Sequence, residues 1–411
     1  MKKFLLGSTA MAATLVAGAA LAEEPIKLSL GGYYRAVGIH QNSDLPNLRS
    51  AYIGQEGRIS IQGATTLDNG ITAGVYTQLR YAEPMQNNGD PDGLFRRAYA
   101  FFEGTGGRIE LGNADGAALQ MGYTSPDPMP GSGVNSPNFY PNAPQIAGNV
   151  GNIAGSLGST PTTYQNWDRQ NTKLSYFTPR VMGFQFGVSF TPESCKHVPG
   201  ATPSCPAHGN APGDANFAQT SDIWQLGLNY QRTFSDIDIG LSSTFVQGSL
   251  ESNSQTIGTE TVAIAKDLRD RQSYSFGLNL GYGGFVFGTS YLHDTGTGLI
   301  ENNQSSIDTD VHAWDAGLKY TTGPWSAGVQ YIESRRHNPL GTFRNGSGGG
   351  NDTVRAFMVG GGYALGPGID LGIGYQVWDW STSYRNPANR SLVSGRETTA
   401  DMFLLGTVLK F

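Results

Sequence analysis

Val311–Ser334 reads VHAWDAGLKYTTGPWSAGVQYIES, two alternating runs of about ten residues joined by the short turn Thr321–Pro324. The same unit occurs in Ser273–His293 and in Val354–Trp380, with long polar loops between the copies. Strands of about ten residues with one apolar and one polar face, joined alternately by short turns and long loops, are typical of a transmembrane β-barrel. The pattern predicts that the turns lie on one side of a membrane and the loops on the other.

The same alternation, followed outward along the chain, predicts sixteen strands. Nine precede the repeats, at about 26–39, 50–64, 71–81, 95–103, 108–113, 172–178, 184–191, 223–234 and 238–248; six lie in the repeats, and the last is Thr398–Phe411. Since an open sheet edge is not tolerated in lipid, the last strand is expected to pair with the first. The expected fold is all-β, a transmembrane antiparallel 16-stranded β-barrel.

The composition favours a barrel over a soluble domain of the same size. Of 411 residues only 38% are hydrophobic, and the mean hydropathy is −0.30. A barrel needs little apolar core, because its interior is polar and hydrated. No run of 18 apolar residues follows Ala22, so no membrane-spanning helix is expected. The net charge of −6 without a basic cluster argues against a nucleic-acid partner.

The first residues have the pattern of a secretory signal. Lys2 and Lys3 precede the apolar stretch Phe4–Leu21, and Ala20-Leu21-Ala22 offers small residues for cleavage. A retained anchor is the disfavoured alternative, since the polar pair Glu23-Glu24 follows at once. The sequence therefore predicts a cleaved signal peptide at residues 1–22 and a barrel domain at residues 23–411.

The two cysteines, Cys195 and Cys205, are ten positions apart in a segment rich in Pro, Gly, Ser and Asn. In an exported protein this spacing predicts a disulfide that restrains the loop. A metal site with His197 and His208 is the less favoured interpretation. The acidic loop Glu301–Asp310 leaves Ca²⁺ binding open, although solvated loop acids are the simpler explanation; no cofactor is otherwise expected.

Several short motifs follow one another along the chain. They are Gly31–Arg35 (GGYYR), Arg97–Gly104 (RAYAFFEG), Ile109–Gly112 (IELG) before a loop of 55 residues at Ala114–Asp168, strand cores such as Ala316–Tyr320 (AGLKY), and the terminal Phe411 with Phe403 in step. In these motifs the chain resembles the general porins of Gram-negative outer membranes, and the resemblance covers nearly all of the mature chain.

The resemblance implies an outer-membrane channel, a homotrimer in contact with lipid and lipopolysaccharide, through which small hydrophilic solutes and ions diffuse passively. It implies that the third loop, Ala114–Asp168, folds into the lumen and narrows it. It also implies that Phe403 and Phe411 belong to an assembly signal at the closing strand. No enzymatic activity is expected.

Four arginines on the first four strands are candidates for the constriction. Alternation assigns Arg35, Arg58, Arg80 and Arg97 to the lumen face, with Arg96 as a rival to Arg97. Lipid exposure would cost each of them about 2–4 kcal/mol. We expect a basic wall opposite the third loop, whose charges before Asp168 are Asp115 and Asp127, and such a wall sets ion preference through its field. The few loop acids put marked cation selectivity in doubt.

Three other functions remain open at this point. A channel specific for sugars or anions is one, with Tyr33, Tyr76 and Tyr99 as a candidate solute track. A soluble secreted β-protein or adhesin is another. An outer-membrane hydrolase would need a nucleophile and a base side by side. His293-Asp294 is the only suggestive pair for such chemistry, and no catalytic motif surrounds it.

Overall fold

Sixteen antiparallel strands form the wall of the molecule, and hydrogen bonds close them into one barrel. The computed structural model describes residues 25–43, 50–82, 95–135, 139, 161–165, 167–193, 219–251, 254–257, 260–263, 270–295, 299–302, 305–307, 310–338, 350–385 and 392–411. The predicted signal peptide and the pair Cys195 and Cys205 lie outside these residues. The fold class expected from the sequence is confirmed.

The barrel strands follow one another around the wall in chain order. They are β1 Lys27–Ser43, β2 Ala51–Thr66, β3 Thr72–Ala82, β4 Phe95–Gly104, β5 Gly107–Asn113, β6 Thr172–Phe177, β7 Phe184–Glu193, β8 Gln219–Phe234, β9 Ile237–Glu251, β10 Arg271–Tyr282, β11 Phe285–Asp294, β12 Val311–Thr322, β13 Trp325–Asn338, β14 Gly350–Gly366, β15 Ile369–Arg385 and β16 Leu392–Lys410.

Three short elements in the long connections were not predicted from the sequence. The helix α1, Ala117–Met121, lies in the third loop. Ser254–Ile257 pairs with Glu260–Ala263, and Leu299–Asn302 pairs with Ser305–Ile307, in two small hairpins outside the barrel sheet. None of the described helical residues forms a segment with the length and hydropathy of a membrane span.

The barrel closes between its first and last strands. β16 pairs with β1 from Tyr33↔Lys410 to Ser43↔Ala400. Beyond this register, the amides and carbonyls of Gly32 and Phe411 bind each other at 2.8 and 3.1 Å. The closing pair predicted from the sequence is therefore present, and it leaves no open edge in the sheet.

Several strands are longer than the alternation indicated. β16 begins at Leu392 rather than Thr398, and β8 begins at Gln219 rather than Ile223. Hydrogen-bonded pairing depends on the neighbouring backbone and continues beyond the apolar band, where side chains no longer alternate in polarity. The sequence pattern therefore locates the membrane-facing part of a strand better than its rim.

On strands such as β12 the two faces differ as the sequence predicted. On β12, Trp314, Leu318 and Tyr320 are exposed on the outer face, while Ala313 and Asp315 are fully buried inside. Aromatic rings gather on the outer face beside the short turns, as in the pairs Phe285–Tyr320 and Trp325–Tyr363. Such rings are typical of the belt at a membrane interface.

Candidate functional site

The third loop follows the inner wall of the barrel. Starting after β5, its residues approach successive strands: Met121 lies against β8, Tyr123 against β10, Pro126 against β11, Met129 against β14 and β15, and Gly131 against β16 and β1. The described part of the loop thus follows more than half of the circumference of the barrel.

Polar side chains on the wall accept the backbone N–H groups of this loop. The acceptors stand on β7, β8, β9, β12 and β13: Ala117 N donates to Ser189 Oγ (2.8 Å), Ala118 N to Gln225 Oε1 (3.2 Å), Tyr123 N to Ser242 Oγ (2.9 Å), Ser125 N to Asp315 Oδ2 (2.9 Å) and Val134 N to Gln330 Oε1 (2.7 Å). Enclosed backbone donors need partners, and residues 114–135 of the loop form no strand ladder that could supply them. The wall side chains take over that role.

Glycines on the inner face of the wall allow the loop to lie directly on the sheet. A Cβ at Gly277 would lie 2.2 Å from the carbonyl oxygen of Tyr123, and one at Gly362 would lie 2.5 Å from Cγ of Pro130. The strand core Gly-x-x-Tyr combines a requirement of each face of the wall. In Ala316–Tyr320, Gly317 lies under the loop on the inner face, while Tyr320 lies on the outer face. We call these inward glycines under the loop the glycine track: Gly227, Gly277, Gly288, Gly317, Gly328, Gly360, Gly362 and Gly372.

The two ends of the loop are joined at one buried lysine. Lys173 of β6 is 1% exposed, and its Nζ donates to the carbonyls of Ala114 and Asp168 at 3.0 Å each. Its Nζ is also 3.5 Å from a carboxylate oxygen of Asp168. That carboxylate accepts further hydrogen bonds from Thr191 and Gln225 at 2.7 and 2.6 Å. Asp168, predicted as the last residue of the loop, thus anchors it to the wall.

An apolar cluster holds residues 129–135 and 139 of the loop against β13–β16 and β1. Met129, Val134 and Phe139 of the loop pack there against side chains such as Trp378 and Met402. The inner face of these strands is therefore apolar where the loop covers it. The alternation rule assigns apolar residues to the lipid-facing side of a strand. It therefore does not predict strands such as these, whose inner and outer faces are both apolar.

The opposite part of the wall carries the arginines. Arg35, Arg58, Arg80 and Arg97 all lie on the inner face, and Arg58 and Arg80 are direct partners in the β2–β3 register. Glu56 binds Arg35 and lies 2.5 Å from Arg58, while Asp115 binds Arg97. The face assignment from the sequence is confirmed; the role of these residues at a constriction stays a prediction.

Arg35 differs from the other three because the loop covers it. Its side chain donates to the carbonyl of Gly131, its guanidinium lies 5.2 Å from the ring centre of Phe139, and the residue is 6% exposed. Arg58 and Arg97 keep 17% and 25% of their side chains exposed. We therefore assign Arg35 to loop anchoring, and Arg58, Arg80 and Arg97 to the lumen surface.

Two further arginines bear on the assignment. Arg169, which sequence reasoning missed, is partly exposed and interacts electrostatically with Arg58, Arg97 and Asp115. Desolvation lowers the pKa of its guanidinium, and the attraction of Asp115 opposes that shift. Arg169 directly follows the predicted end of the loop and precedes the predicted strand, so neither the loop nor the strand alternation indicated a lumen position for it. Arg96 is the extra residue of a bulge between β3 and β4 and is 3% exposed, which leaves Arg97 as the lumen residue.

The predicted loop acids lie on different sides of the lumen. Asp115 follows β5 directly and therefore stands on the arginine side, paired with Arg97. Asp127 is exposed on the loop beside β12, where Lys319 Nζ donates to its carbonyl at 2.9 Å. In the closed strand order β12 lies opposite β2–β4. Asp127 is thus the acid across from the arginines.

Aromatic rings accompany the arginines on the lumen face. The rings of Tyr76 and Tyr99 are 5.2 Å apart, and Arg58 lies 5.5 Å from the ring centre of Tyr33. The hydroxyl of Tyr76 binds Ser60 at 3.0 Å. All three tyrosines of the predicted solute track therefore belong to the arginine-bearing wall.

The pair His293-Asp294 does not form a catalytic dyad. Asp294 points inward and binds Arg271 at 2.6 Å, while His293 points outward. Adjacent residues of a strand face opposite sides of the sheet, which separates the two groups. The side chains of the acidic loop proposed for Ca²⁺ lie outside the described residues, except for Asp310.

Comparison with known proteins places the chain in a family. A family model described as Gram-negative porin matches residues 7–381. An uncharacterized protein of Rickettsia prowazekii is 23% identical over 477 aligned positions that cover 100% of both chains.

Two solved structures have the same fold. The trimer form of OmpT, an outer membrane protein of Vibrio cholerae, is 14% identical with a TM-score of 0.57. An anion-selective porin from Comamonas acidovorans is 12% identical, also with a TM-score of 0.57. Each alignment covers 94% of this chain and 100% of the other. With the closed sixteen-stranded barrel, the family match shows that this chain belongs to the Gram-negative porins and is a channel of the outer membrane.

Proposed function

We propose that this porin is a water-filled trimeric channel for small hydrophilic solutes that favours anions over cations. The observation that carries the proposal is the set Arg58, Arg80, Arg97 and Arg169, gathered beside the lumen on one wall. Glu56 and Asp115 offset part of this positive charge, and Asp127 stands across from it.

The physical basis is the electrostatic field in a narrow, water-filled passage with low-dielectric walls. A charged wall raises the local concentration of counter-ions, and the effect weakens as salt screens it. The third loop brings the opposite wall closer to the arginines, which strengthens this field in the lumen. Anion selectivity, named for the structurally similar Comamonas porin, agrees with this reasoning.

The decisive experiment compares reversal potentials in planar bilayers under asymmetric KCl. We expect the wild type to favour chloride, and R58Q/R80Q to shift the reversal potential toward potassium. The matched control R335Q/R355Q also removes two charges, from exposed residues on the outer face of β13 and β14. A wild type that favours potassium, or equal shifts in both variants, would contradict anion preference through this wall.

The trimer is supported by the uneven height of the wall. β5 and β6 contain 7 and 6 residues, whereas a strand needs about 9–11 residues to cross a bilayer. Their outward residues Leu111 and Leu174 are register partners and are 57% and 51% exposed in the single chain. A partner subunit would cover this apolar, low part of the wall.

We also propose the processing steps that the sequence indicates. Cleavage after Ala22 would release the barrel domain, and Cys195 would bond Cys205 outside the cell. Mass measurement of the purified protein, with and without reductant, tests both. Phe403 and Phe411 lie on the outer face of the closing strand, which is consistent with an exposed assembly signal.

A further inference from the structure

Two histidines stand side by side on the outer face of the barrel, at the rim that carries the long loops. His293 is one residue before the end of β11, and His312 is the second residue of β12. They are direct partners in the β11–β12 register. Their rings are stacked, with centres 4.3 Å apart and planes inclined by 10°.

A carboxylate completes the cluster. Asp310 lies directly before β12, and its Oδ1 is 3.7 Å from Nε2 of His293. One ligand atom from each of His293, Asp310 and His312 lies within 4.8 Å of the others. Tetrahedral Zn²⁺ with bonds of about 2.0–2.1 Å separates its ligand atoms by roughly 3.3 Å. Metal binding would therefore require a small side-chain rotation, which the exposed His312, and Asp310 just before the strand, have room to make.

The hydrogen bonds of the two rings favour a ligand. Nδ1 of His312 is 2.7 Å from the hydroxyl of Tyr291. A ring that donates its Nδ1–H there presents the Nε2 lone pair to a metal, which is the usual second-shell arrangement of zinc-binding histidines. Within the described residues, both ring nitrogens of His293 are inaccessible to solvent and lack a hydrogen-bond partner. Such orphaned atoms usually indicate a missing partner.

The surroundings set the chemistry of that partner. Tyr274 meets the ring of His293 edge-on at 5.0 Å, and Arg335 is the register partner of His312 on the other side. Arg335 is paired with Glu333 at 2.7 Å, which offsets its repulsion of a cation. Two imidazoles and one carboxylate with an open fourth position suit Zn²⁺ rather than the oxygen-seeking Ca²⁺ or Mg²⁺.

We propose that His293, His312 and Asp310 form a binding site for a divalent transition-metal cation, for which Zn²⁺ is the probe. The bound ion joins Asp310, the last residue of the β11–β12 loop, to the adjoining ends of β11 and β12. The site faces away from the lumen, so it is independent of ion conduction through the channel.

The test uses metal-free porin in detergent, purified without a polyhistidine tag. By titration calorimetry we expect one Zn²⁺ per chain, bound at least tenfold more weakly by H293A and by H312A. The matched control H40A removes an exposed outward histidine of β1 and should bind as the wild type does. Co²⁺ should give the visible absorption of a tetrahedral site in the wild type and H40A, and lose it in H312A.

Two results would overturn the proposal. One is wild-type Zn²⁺ affinity no higher than that of the H293A/H312A double variant. The other is an equal loss of affinity in H40A, which would assign binding to scattered surface histidines. Heat-dependent mobility on SDS gels verifies that every variant is a folded barrel, so that lost affinity reports on the site.

Discussion

At the scale of single residues, buried charges determine where the third loop starts and ends. Lys173 is enclosed by three backbone carbonyls and by Asp168, and the latter is 3% exposed. Neither charge meets solvent, so each is stabilised by the other and by its hydrogen bonds. Asp315 has a comparable role further along, where it accepts from Ser125, Asn135 and Ser290.

We predict that K173M lowers the free energy of unfolding by about 3–5 kcal/mol, because it leaves the Asp168 carboxylate and the loop carbonyls without their cation. Equilibrium unfolding in urea and detergent measures the change. The control K410M removes an exposed lysine that is 3.0 Å from Asp370, and should cost about 1 kcal/mol or less. Equal losses in the two variants would contradict the role of Lys173 in joining the two ends of the loop.

At the scale of elements, the third loop and the strands it crosses depend on each other. In its described residues the loop has one helical turn and little other regular structure, so their position depends on wall side chains and on the glycine track. A strand residue under the loop has no room for a side chain, while its neighbours meet the outer apolar surface. This explains why glycine recurs in the strand cores and not only in the turns.

We predict that G277A lifts the loop from the wall, because its Cβ would lie 2.2 Å from the carbonyl oxygen of Tyr123. Overpacking of this kind costs about 1–3 kcal/mol, and a displaced loop should change single-channel conductance. The control G38A adds a methyl on the outer face, 3.6 Å from its nearest neighbour. Unchanged conductance and stability in G277A would mean that the loop does not rest on this strand.

At the scale of the whole molecule, the barrel is asymmetric around its circumference. The longest strands, β14–β16 and the adjoining β1, have 17–19 residues, and the shortest, β5 and β6, have 7 and 6. The lumen arginines Arg58, Arg80 and Arg97 stand on β2–β4 next to the low side, and the loop covers the tall side from within. The proposed subunit contact and the proposed ion path thus occupy the same half of the wall.

We predict that L111R converts the trimer to folded monomers, because it adds a charge to the low, apolar part of the wall. Size-exclusion chromatography with light scattering in mild detergent measures the mass. The control V359R changes an outward residue of β14, which is 44% exposed on the far side, and should remain trimeric. A trimeric L111R would place the subunit contact elsewhere.

The number of strands and the faces of their residues followed from the sequence alone. Alternation is a local property, because successive side chains of a strand point to opposite sides whatever the strand pairs with. Arg58 and Arg80 were therefore assigned to the inner face correctly from Ser60 and Gln78 beside them. The repeated turns, such as Gly283-Gly284 with positive φ at both residues, marked the hairpins for the same local reason.

The path of the third loop, the covering of Arg35 and the arrival of Arg169 beside the arginines were decided only by the tertiary structure. Each depends on contacts between residues far apart in the chain, which no local period encodes. The same holds for His293 and His312, whose pairing requires the register of two strands across a long loop. Closure of the sheet turned sixteen locally specified strands into one wall and thereby determined which of their side chains meet.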